Sequence, residues 1–231
     1  MSLTLILLWI VATLFFVTVF AVVAKKHGVQ FLTVAMALSI LLSNIANAKF
    51  VIVAGHVVPA GTIIFSMTFL ISDMLSEFWG KKEAQKAVWA GFMGLLLYLA
   101  ILKLTIAWPA PPFAIDSANK FEDLYALAPR IVLGSIVAYL ISQHFDVWFY
   151  HKIKQYTKDR YLWLRNNLST VVSQLLDSVI FFSIAFLGTA VFPTLGSIII
   201  PIATLWVFKV AIAIVDTPFI YLLRSVMKRV G

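Results

Sequence analysis

The sequence contains no cysteine and little charge. Of its 231 residues, 12% are charged and 62% are hydrophobic, and the mean hydropathy is +0.98. Globular proteins in water are about 25% charged and about 45–50% apolar, so the composition excludes a water-soluble fold. The lack of cysteine also excludes disulfides, thiolate metal sites and cysteine nucleophiles.

Familiar catalytic motifs are absent as well. The chain has no His-Glu-x-x-His, Gly-x-Ser-x-Gly or Gly-x-x-x-x-Gly-Lys-Ser/Thr sequence, and its four histidines are scattered. We therefore predict that the protein is not an enzyme and holds no cofactor or resident metal. The alternative is a membrane-embedded enzyme or assembly factor whose buried acids are structural or catalytic.

Long apolar segments fill most of the chain. A helix needs about 20 apolar residues to cross a bilayer, and seven such segments occur. They predict an all-α polytopic membrane protein with one transmembrane domain, residues 1–231, built as a bundle of about seven helices. The predicted spans are 3–24, 29–48, 60–79, 87–107, 124–150, 166–188 and 197–223. Because the first span lacks a basic N-terminal region and a cleavage site, we expect a permanent helix rather than a signal peptide.

Basic residues fall mainly on one side of these spans. Seven crossings put alternate loops on opposite sides, and of the 18 Lys and Arg residues 13 fall in one set of loops, 2 in the other and 3 within spans. Cytoplasmic loops carry the excess of Lys and Arg. We predict an outside N-terminus and a cytoplasmic C-terminus in the cytoplasmic (inner) membrane. This asymmetry explains the net charge of +8 without a nucleic-acid partner.

Two external segments stand out between the spans. Residues 50–58 are rich in β-branched side chains around Gly55-His56, which predicts a short hairpin on the outer surface. Residues 108–120 include three prolines, and we expect an irregular loop there.

Polar residues inside the spans are the informative ones, because a charge at the bilayer centre costs about 2.5–3.5 kcal/mol. Asp73 and Glu77 stand four residues apart on the third span, and so on one helix face. The fifth and sixth spans each carry a Ser-Gln-x-x-Asp sequence, which directs an amide and a carboxylate the same way. We predict a polar seam shared by these three helices. The predicted substrate-binding residues are Asn44, Asp73, Glu77, Gln143, Asp146, Gln174, Asp177, Lys209 and Asp216.

Each of these charges also has a structural alternative. Glu77 and Asp146 are predicted near the cytoplasmic ends of their helices, where ion pairs with nearby lysines would explain them. The lysines in reach are Lys81, Lys82 and Lys152. Asp177 and Lys209 fall at similar depths and would neutralise each other. Asp73, the deepest acid, is the first candidate for substrate contact, and Asp177 is the candidate for proton coupling.

Residues 69–80, Phe-Leu-Ile-Ser-Asp-Met-Leu-Ser-Glu-Phe-Trp-Gly, with the Lys81-Lys82 pair that follows, resemble the signature of the VUT family of queuosine precursor transporters. Four further blocks match the family pattern in order. They are Asn44 with Lys49, residues 130–147, residues 163–177, and Lys209 with Asp216-Thr217-Pro218. The resemblance covers roughly residues 38–223.

The resemblance implies a bundle of six or seven helices that imports 7-cyano-7-deazaguanine, 7-aminomethyl-7-deazaguanine or both for tRNA modification. The first span looks like an addition that some members lack, which implies an extra N-terminal helix at 1–24 and a core at 25–231. Ser66 departs from the family, which often has proline there. The implied partners are the small-molecule deazaguanine and the lipid bilayer. A homodimer and an energising partner are left open.

A guanine-like ring suits the predicted seam. Its N1–H and exocyclic amine are adjacent donors that one carboxylate can accept together, whereas O6 and the ring nitrogens need donors. The candidate donors are Asn44, Gln143, Gln174 and Lys209. Charge-assisted hydrogen bonds contribute about 1.5–3 kcal/mol each. Phe181 and Phe182 are candidates for stacking on the ring, although packing is the commoner role in a chain with 19 phenylalanines.

Overall fold

The computed structural model describes residues 3–53, 56–125, 129–190 and 192–229. These residues form eight α-helices and one β-hairpin, with a short 3-10 turn at Pro112–Ala114. In chain order the elements are α1 Leu3–His27, α2 Gln30–Ala46, β1 Phe50–Val53, β2 His56–Pro59, α3 Thr62–Phe78, α4 Lys81–Ala107, α5 Ile115–Tyr125, α6 Pro129–Tyr156, α7 Leu162–Ala185 and α8 Leu195–Arg229. The prediction of an all-α fold is confirmed, with the hairpin as its one small sheet among the described residues.

The two ends of the bundle differ in how the helices are joined. At one end, which we call the basic side, tight turns at Gly28 and Gly80 join α1 to α2 and α3 to α4. Both glycines have positive φ, 116° and 88°, which side chains other than glycine adopt with strain. The other end, which we call the hairpin side, carries β1 and β2 between α2 and α3.

Helix α3 lies at the centre of the bundle. It packs against α1, α2, α4, α6, α7 and α8, and 13 of its 17 residues are buried. Its polar face, from Thr62 to Ser76, is therefore shielded from lipid by the surrounding helices. A helix with so many polar groups is stable in a membrane only in such a position.

Five helices are long and apolar enough to cross a membrane: α1, α4, α6, α7 and α8. At 1.5 Å per residue, the 17 residues of α2 and of α3 span about 25 Å, against a hydrocarbon core of about 30 Å. For α3 the shorter length carries little cost, because neighbouring helices rather than lipid cover it. The chain is a polytopic all-α membrane protein.

The predicted hairpin is confirmed. β1 pairs with β2 in antiparallel register, from Phe50 opposite Pro59 to Val53 opposite His56. The two strands return the chain to the end of α2, where the backbone of Gly61 lies close to the backbone of Ser43. A Cβ atom on residue 61 would lie 2.1 Å from the carbonyl oxygen of Ser43. Glycine is needed there for α3 to begin beside α2.

Two predictions about the loops were wrong. The segment 108–120 is largely helical rather than irregular, because the 3-10 turn leads directly into the exposed helix α5. Pro112 is the first residue of the 3-10 turn, a position where its missing N–H costs nothing.

The second error concerns Arg165, which was counted among loop cations. Helix α7 begins at Leu162, so Arg165 lies inside it and is buried.

Candidate functional site

The predicted site residues face the interior of the bundle. Seven of the nine are buried, Glu77 keeps 6% of its side-chain surface, and Asn44 is half-buried. The seven are Asp73, Gln143, Asp146, Gln174, Asp177, Lys209 and Asp216. The structure does not bring all nine together. Most of them fall into three clusters along the bundle: a network around Glu77 at the basic side, a carboxyl pair in the middle, and a cavity at the hairpin side.

The network around Glu77 is an interhelical ion-pair cluster. Arg165 on α7 donates from one guanidinium nitrogen to both Glu77 carboxylate oxygens at 2.8 Å. Tyr150 donates to Glu77 at 2.9 Å, and Lys154 on α6 pairs with Glu77 at 3.2 Å. Arg165 also pairs with Asp159 at 2.9 Å in the turn between α6 and α7. The contacts fasten α3, α6 and α7 together at the basic side.

The ion-pair alternative for Glu77 is thus confirmed, although with different partners. The expected lysines do not pair with it, and the main partner is Arg165. Beyond the network lies a recess of about 970 Å³, which includes space open to solvent and is lined by groups from α1, α3, α6 and α8. Glu77, Lys154 and Asp159 border this recess, so the network stands between solvent at the basic side and the bundle interior.

The carboxyl pair consists of Asp73 on α3 and Asp146 on α6, both buried. Asp146 accepts hydrogen bonds from Ser72 at 3.2 Å and from Ser173 at 2.8 Å, one on each oxygen. Asp73 accepts one weak hydrogen bond from Thr170 at 3.4 Å, and its other oxygen receives none from the described residues. The ion-pair alternative for Asp146 is wrong, because hydroxyl groups rather than lysines satisfy it.

The two Ser-Gln-x-x-Asp sequences contact each other across α6 and α7. Ser142 of the first donates to Asp177 of the second at 3.2 Å, and Ser173 of the second donates to Asp146 of the first at 2.8 Å. Each serine therefore satisfies the acid of the other helix. Gln143 donates to Thr68 on α3 at 2.7 Å, so the amide and carboxylate of the first unit both face α3, as predicted.

The cavity lies in the hairpin half of the bundle, among α2, α3, α4, α6, α7 and α8. Its empty volume is about 620 Å³, including the part open to solvent. Asp177 and Lys209 line it as an ion pair with 2.6 Å between Oδ2 and Nζ. The Lys209 ammonium also lies 5.1 Å from the centre of the Phe65 ring. The predicted neutral pair exists, and it borders empty space.

Further polar and aromatic groups surround this ion pair. Asn44 on α2 and Asn47, the residue after the end of α2, line the cavity, and the buried side-chain oxygen of Asn47 has no hydrogen-bond partner among the described residues. Phe65 and Phe181 contribute ring surfaces, whereas Phe182 is not among the lining residues. A carboxylate, an ammonium, amides and aromatic rings around one space can recognise a flat polar ring by its edge and its faces.

The other predicted residues do not line the cavity. Gln174 is buried with neither side-chain amide atom hydrogen-bonded to a described residue, and one oxygen of Asp216 on α8 is likewise unpaired. Asp73, the first candidate for substrate contact, also lies outside the cavity lining. Of the nine predicted residues, the lining includes Asn44, Asp177 and Lys209.

Sequence reasoning missed Arg165, Tyr150, Thr170 and Phe65. Leu162, Trp163 and Leu164 before Arg165 were a signal that the helix begins early enough to include it. The hydroxyl donors carried no signal, because serine and threonine are common in membrane helices. Arg130 donates to the carbonyl oxygens of Ile184 and Leu187 and so caps the end of α7.

Comparison with known proteins identifies the family. A family model described as "Putative vitamin uptake transporter" matches residues 59–223 of this chain. The chain belongs to this VUT family. The matched region contains all the helices of the carboxyl pair and the Glu77 network, and it omits α1 and α2.

Curated relatives of the chain are named as transporters. The chain is 33% identical over 204 residues to the "Probable queuosine precursor transporter" of Bacillus subtilis (strain 168), covering 88% of this chain and 87% of that one. It is 26% identical over 171 residues to the "Queuosine precursor transporter" of Escherichia coli (strain K12), covering 73% of each. No solved structure matches the chain.

The family and its relatives confirm the broad prediction. This VUT protein is a multi-pass transporter of the cytoplasmic membrane and not an enzyme. For a transporter, buried charges beside an unfilled cavity are candidates for substrate contact rather than catalysis.

Proposed function

We propose that this VUT protein imports a queuosine precursor, 7-cyano-7-deazaguanine, 7-aminomethyl-7-deazaguanine or both, through the hairpin-side cavity. The names of the relatives support the substrate class. The observation that carries the proposal is the Asp177–Lys209 pair on the wall of the cavity, with Phe65 and Phe181 beside it.

The chemistry of the ion pair matches a guanine edge. The Asp177 carboxylate can accept from N1–H and the exocyclic amine, while the Lys209 ammonium donates to O6. The substrate then inserts between two charges that the protein already holds close together, so neither charge loses its compensation. Phe65 and Phe181 offer faces for the ring, and Asn44 and Asn47 offer amide groups for the substituent at position 7.

The topology of the proposal follows the charge asymmetry. Seven helices cross the membrane, the N-terminus is outside and the C-terminus is cytoplasmic. In this arrangement the cavity faces outward and the Glu77 network closes the cytoplasmic side. Gln143 and Gln174 lie between these levels on α6 and α7, and their unpaired amide atoms are further contacts for substrate as it moves inward.

Binding and uptake test this proposal together. A ligand at 100 times its dissociation constant stabilises its protein by about 2.7 kcal/mol, so both precursors are expected to raise the melting temperature of the purified protein. Adenine is the matched control, because it lacks the adjacent N1–H and exocyclic amine donors and is expected to have little effect. Cells that cannot make the precursors should regain queuosine when they express this chain. A protein that neither binds nor takes up either precursor would contradict the proposal.

A further inference from the structure

The carboxyl pair, like Asp216, is buried without a cation, and it differs in this from Glu77 and Asp177. Glu77 has Arg165, and Asp177 has Lys209. Among the described residues, neither Asp73 nor Asp146 forms an ion pair, although both are buried. A buried carboxylate without a cationic partner is costly unless it binds a proton or a mobile cation.

The contacts of the pair indicate where a proton resides. Thr170 and Ser173 stand three residues apart on α7 and donate to Asp73 and Asp146, respectively, and Ser72, next to Asp73, also donates to Asp146, so both carboxyl groups face the same turn of α7. Two like charges buried side by side disfavour double ionisation, so one of the two acids holds a proton. Both oxygens of Asp146 accept hydroxyl hydrogen bonds, as an ionised carboxylate does, whereas one oxygen of Asp73 receives none. Asp73 is therefore the acid that carries the proton.

Most ionisable groups on the helices around the pair have partners; the exceptions are Asp216 on α8 and the buried Nε2 of His151 on α6. Toward the basic side, α3 contributes Glu77, α6 contributes Tyr150 and α7 contributes Arg165, and these three contact one another. Helix α8 contributes the buried acid Asp216. Toward the hairpin side, Asp177 and Lys209 form an ion pair with each other. Helix α2 has no ionisable side chain, and the ionisable side chains of α1 are all at residues 25–27. On α4, the ionisable side chains nearest the basic side are those of residues 81–86, most of which are exposed.

We propose that Asp73 and Asp146 form a proton-binding site, separate from the substrate cavity, through which import is coupled to proton entry. This inference rests on the proposed function. A proton needs no further ligands, whereas a metal ion does, and the described residues hold no cluster of three or more acidic or histidine side chains able to bind a metal.

The position of the site connects it to both ends of the bundle. Helix α3 carries Thr62 and Phe65 at the cavity, Asp73 in the pair and Glu77 in the network. Helix α6 carries Tyr139 at the cavity, Asp146 in the pair and Tyr150 in the network. Loss of the proton places two like charges between α3 and α6, which separates helices that hold both the cavity and the network.

The reciprocal serine contacts provide a second connection. Ser173 joins α7 to Asp146, and Ser142 joins α6 to Asp177 beside Lys209. Ionisation of Asp73 beside Asp146 therefore acts on α6 and α7, the two helices whose other serine bond holds Asp177 next to Lys209. In the coupled cycle, Asp73 takes a proton from outside and releases it to the cytoplasm as substrate passes, so one proton enters per substrate. A protein with this site needs no nucleotide-hydrolysing partner to concentrate its substrate.

Reconstituted vesicles test the coupling directly. Purified full-length protein is placed in liposomes that contain a pH-sensitive dye, and neutral 7-cyano-7-deazaguanine is the probe. Wild-type protein is expected to acidify the lumen by about one proton per substrate that enters. An acidic exterior should drive accumulation of the probe, and replacing sodium with choline should not change the rate. Asp73→Asn is expected to lose gradient-driven accumulation at least 10-fold, while it still exchanges probe across the membrane and binds it within about threefold of wild type.

Two comparisons separate the possible outcomes. Asp116→Asn on the exposed helix α5 removes the same charge away from the pair, and it should accumulate the probe as wild type does. If wild-type protein binds and carries the probe without proton movement, or needs sodium, the coupling site is wrong and the proposed function stands. If wild-type protein does not bind the probe, the proposed function fails instead. Because wild-type proton movement is measured first, the test remains decisive even if Asp73→Asn does not fold.

Discussion

The two ends of the bundle hold an acid in different ways. At the basic side, Glu77 is surrounded by an arginine, a lysine and a tyrosine that join three helices. At the hairpin side, Asp177 has one cationic partner, Lys209, and the pair borders a cavity with an unpaired amide oxygen nearby. The first arrangement surrounds the carboxylate with several partners from three helices, whereas the second leaves a single ion pair on the wall of an empty cavity.

This difference separates two roles for buried charge in a membrane. A cluster whose charges all have partners holds helices together and closes the bundle interior. Its loss lowers the free energy of unfolding. A cluster beside empty space can exchange its partner for a ligand, and its loss is felt as weaker binding. This chain has both kinds of cluster. Helix α3 reaches the cavity at Phe65 and the ion-pair network at Glu77, about three helical turns apart.

The largest expected effect is on stability at the basic side. Arg165→Met leaves the Glu77 carboxylate buried without its main partner, which is expected to cost about 3–5 kcal/mol of unfolding free energy. Thermal or denaturant unfolding of the purified protein measures it. Adding Glu77→Gln in the same chain removes the unpaired charge and should restore much of the loss. A change below about 1 kcal/mol in the single variant would show that the network is not a closed cluster.

The next effect is on affinity at the hairpin side. Asp177→Asn and Lys209→Met each remove a charge-assisted contact of about 1.5–3 kcal/mol, which is roughly 10- to 100-fold in dissociation constant. Binding of the two precursors to purified protein measures it. Lys103→Met is the matched control, because Lys103 is exposed on α4 and does not line the cavity. Unchanged affinity in both cavity variants would mean that the substrate binds elsewhere.

The smallest expected effect distinguishes two adjacent aromatic residues. Phe181 lines the cavity, whereas Phe182 packs against Phe186 and Phe192. Phe181→Leu is expected to lose a ring contact of about 0.5–1.5 kcal/mol, roughly two- to tenfold in affinity. Phe182→Leu should bind as wild type does. Equal losses in the two variants would assign Phe181 to packing.

The sequence predicted the polar seam but not its separation into an ion-pair network, a carboxyl pair and a cavity. Spacing on α3 and the repeated Ser-Gln-x-x-Asp sequence identify which faces are polar, since helical periodicity is a local property. Periodicity does not say which helices meet, so the reciprocal bonds of Ser142 and Ser173 could not be predicted. Asp73 was preferred for substrate contact because it was the deepest acid, but depth does not say which acid borders a cavity.

Helix ends account for most of the remaining errors. Arg165 was assigned to a loop because the predicted sixth span began at residue 166, and its buried partner Glu77 was not visible from sequence. Helix α5 was missed because three prolines precede it, although only residues inside a helix interrupt it. The start of α7 and the presence of α5 therefore depend on tertiary contacts rather than on local sequence preference.

Accessibility of single cysteines tests the central claim, an open hairpin side and a closed basic side, most directly. Because the natural chain has no cysteine, Asn44→Cys in the cavity and Ser76→Cys on the buried basic-side part of α3 each provide one reactive site. A membrane-impermeant thiol reagent applied to the outside of intact cells is expected to label Asn44→Cys rapidly, more slowly with bound precursor, and to leave Ser76→Cys unlabelled. Labelling of Ser76→Cys as fast as Asn44→Cys, or no protection of Asn44→Cys by either precursor, would contradict the account.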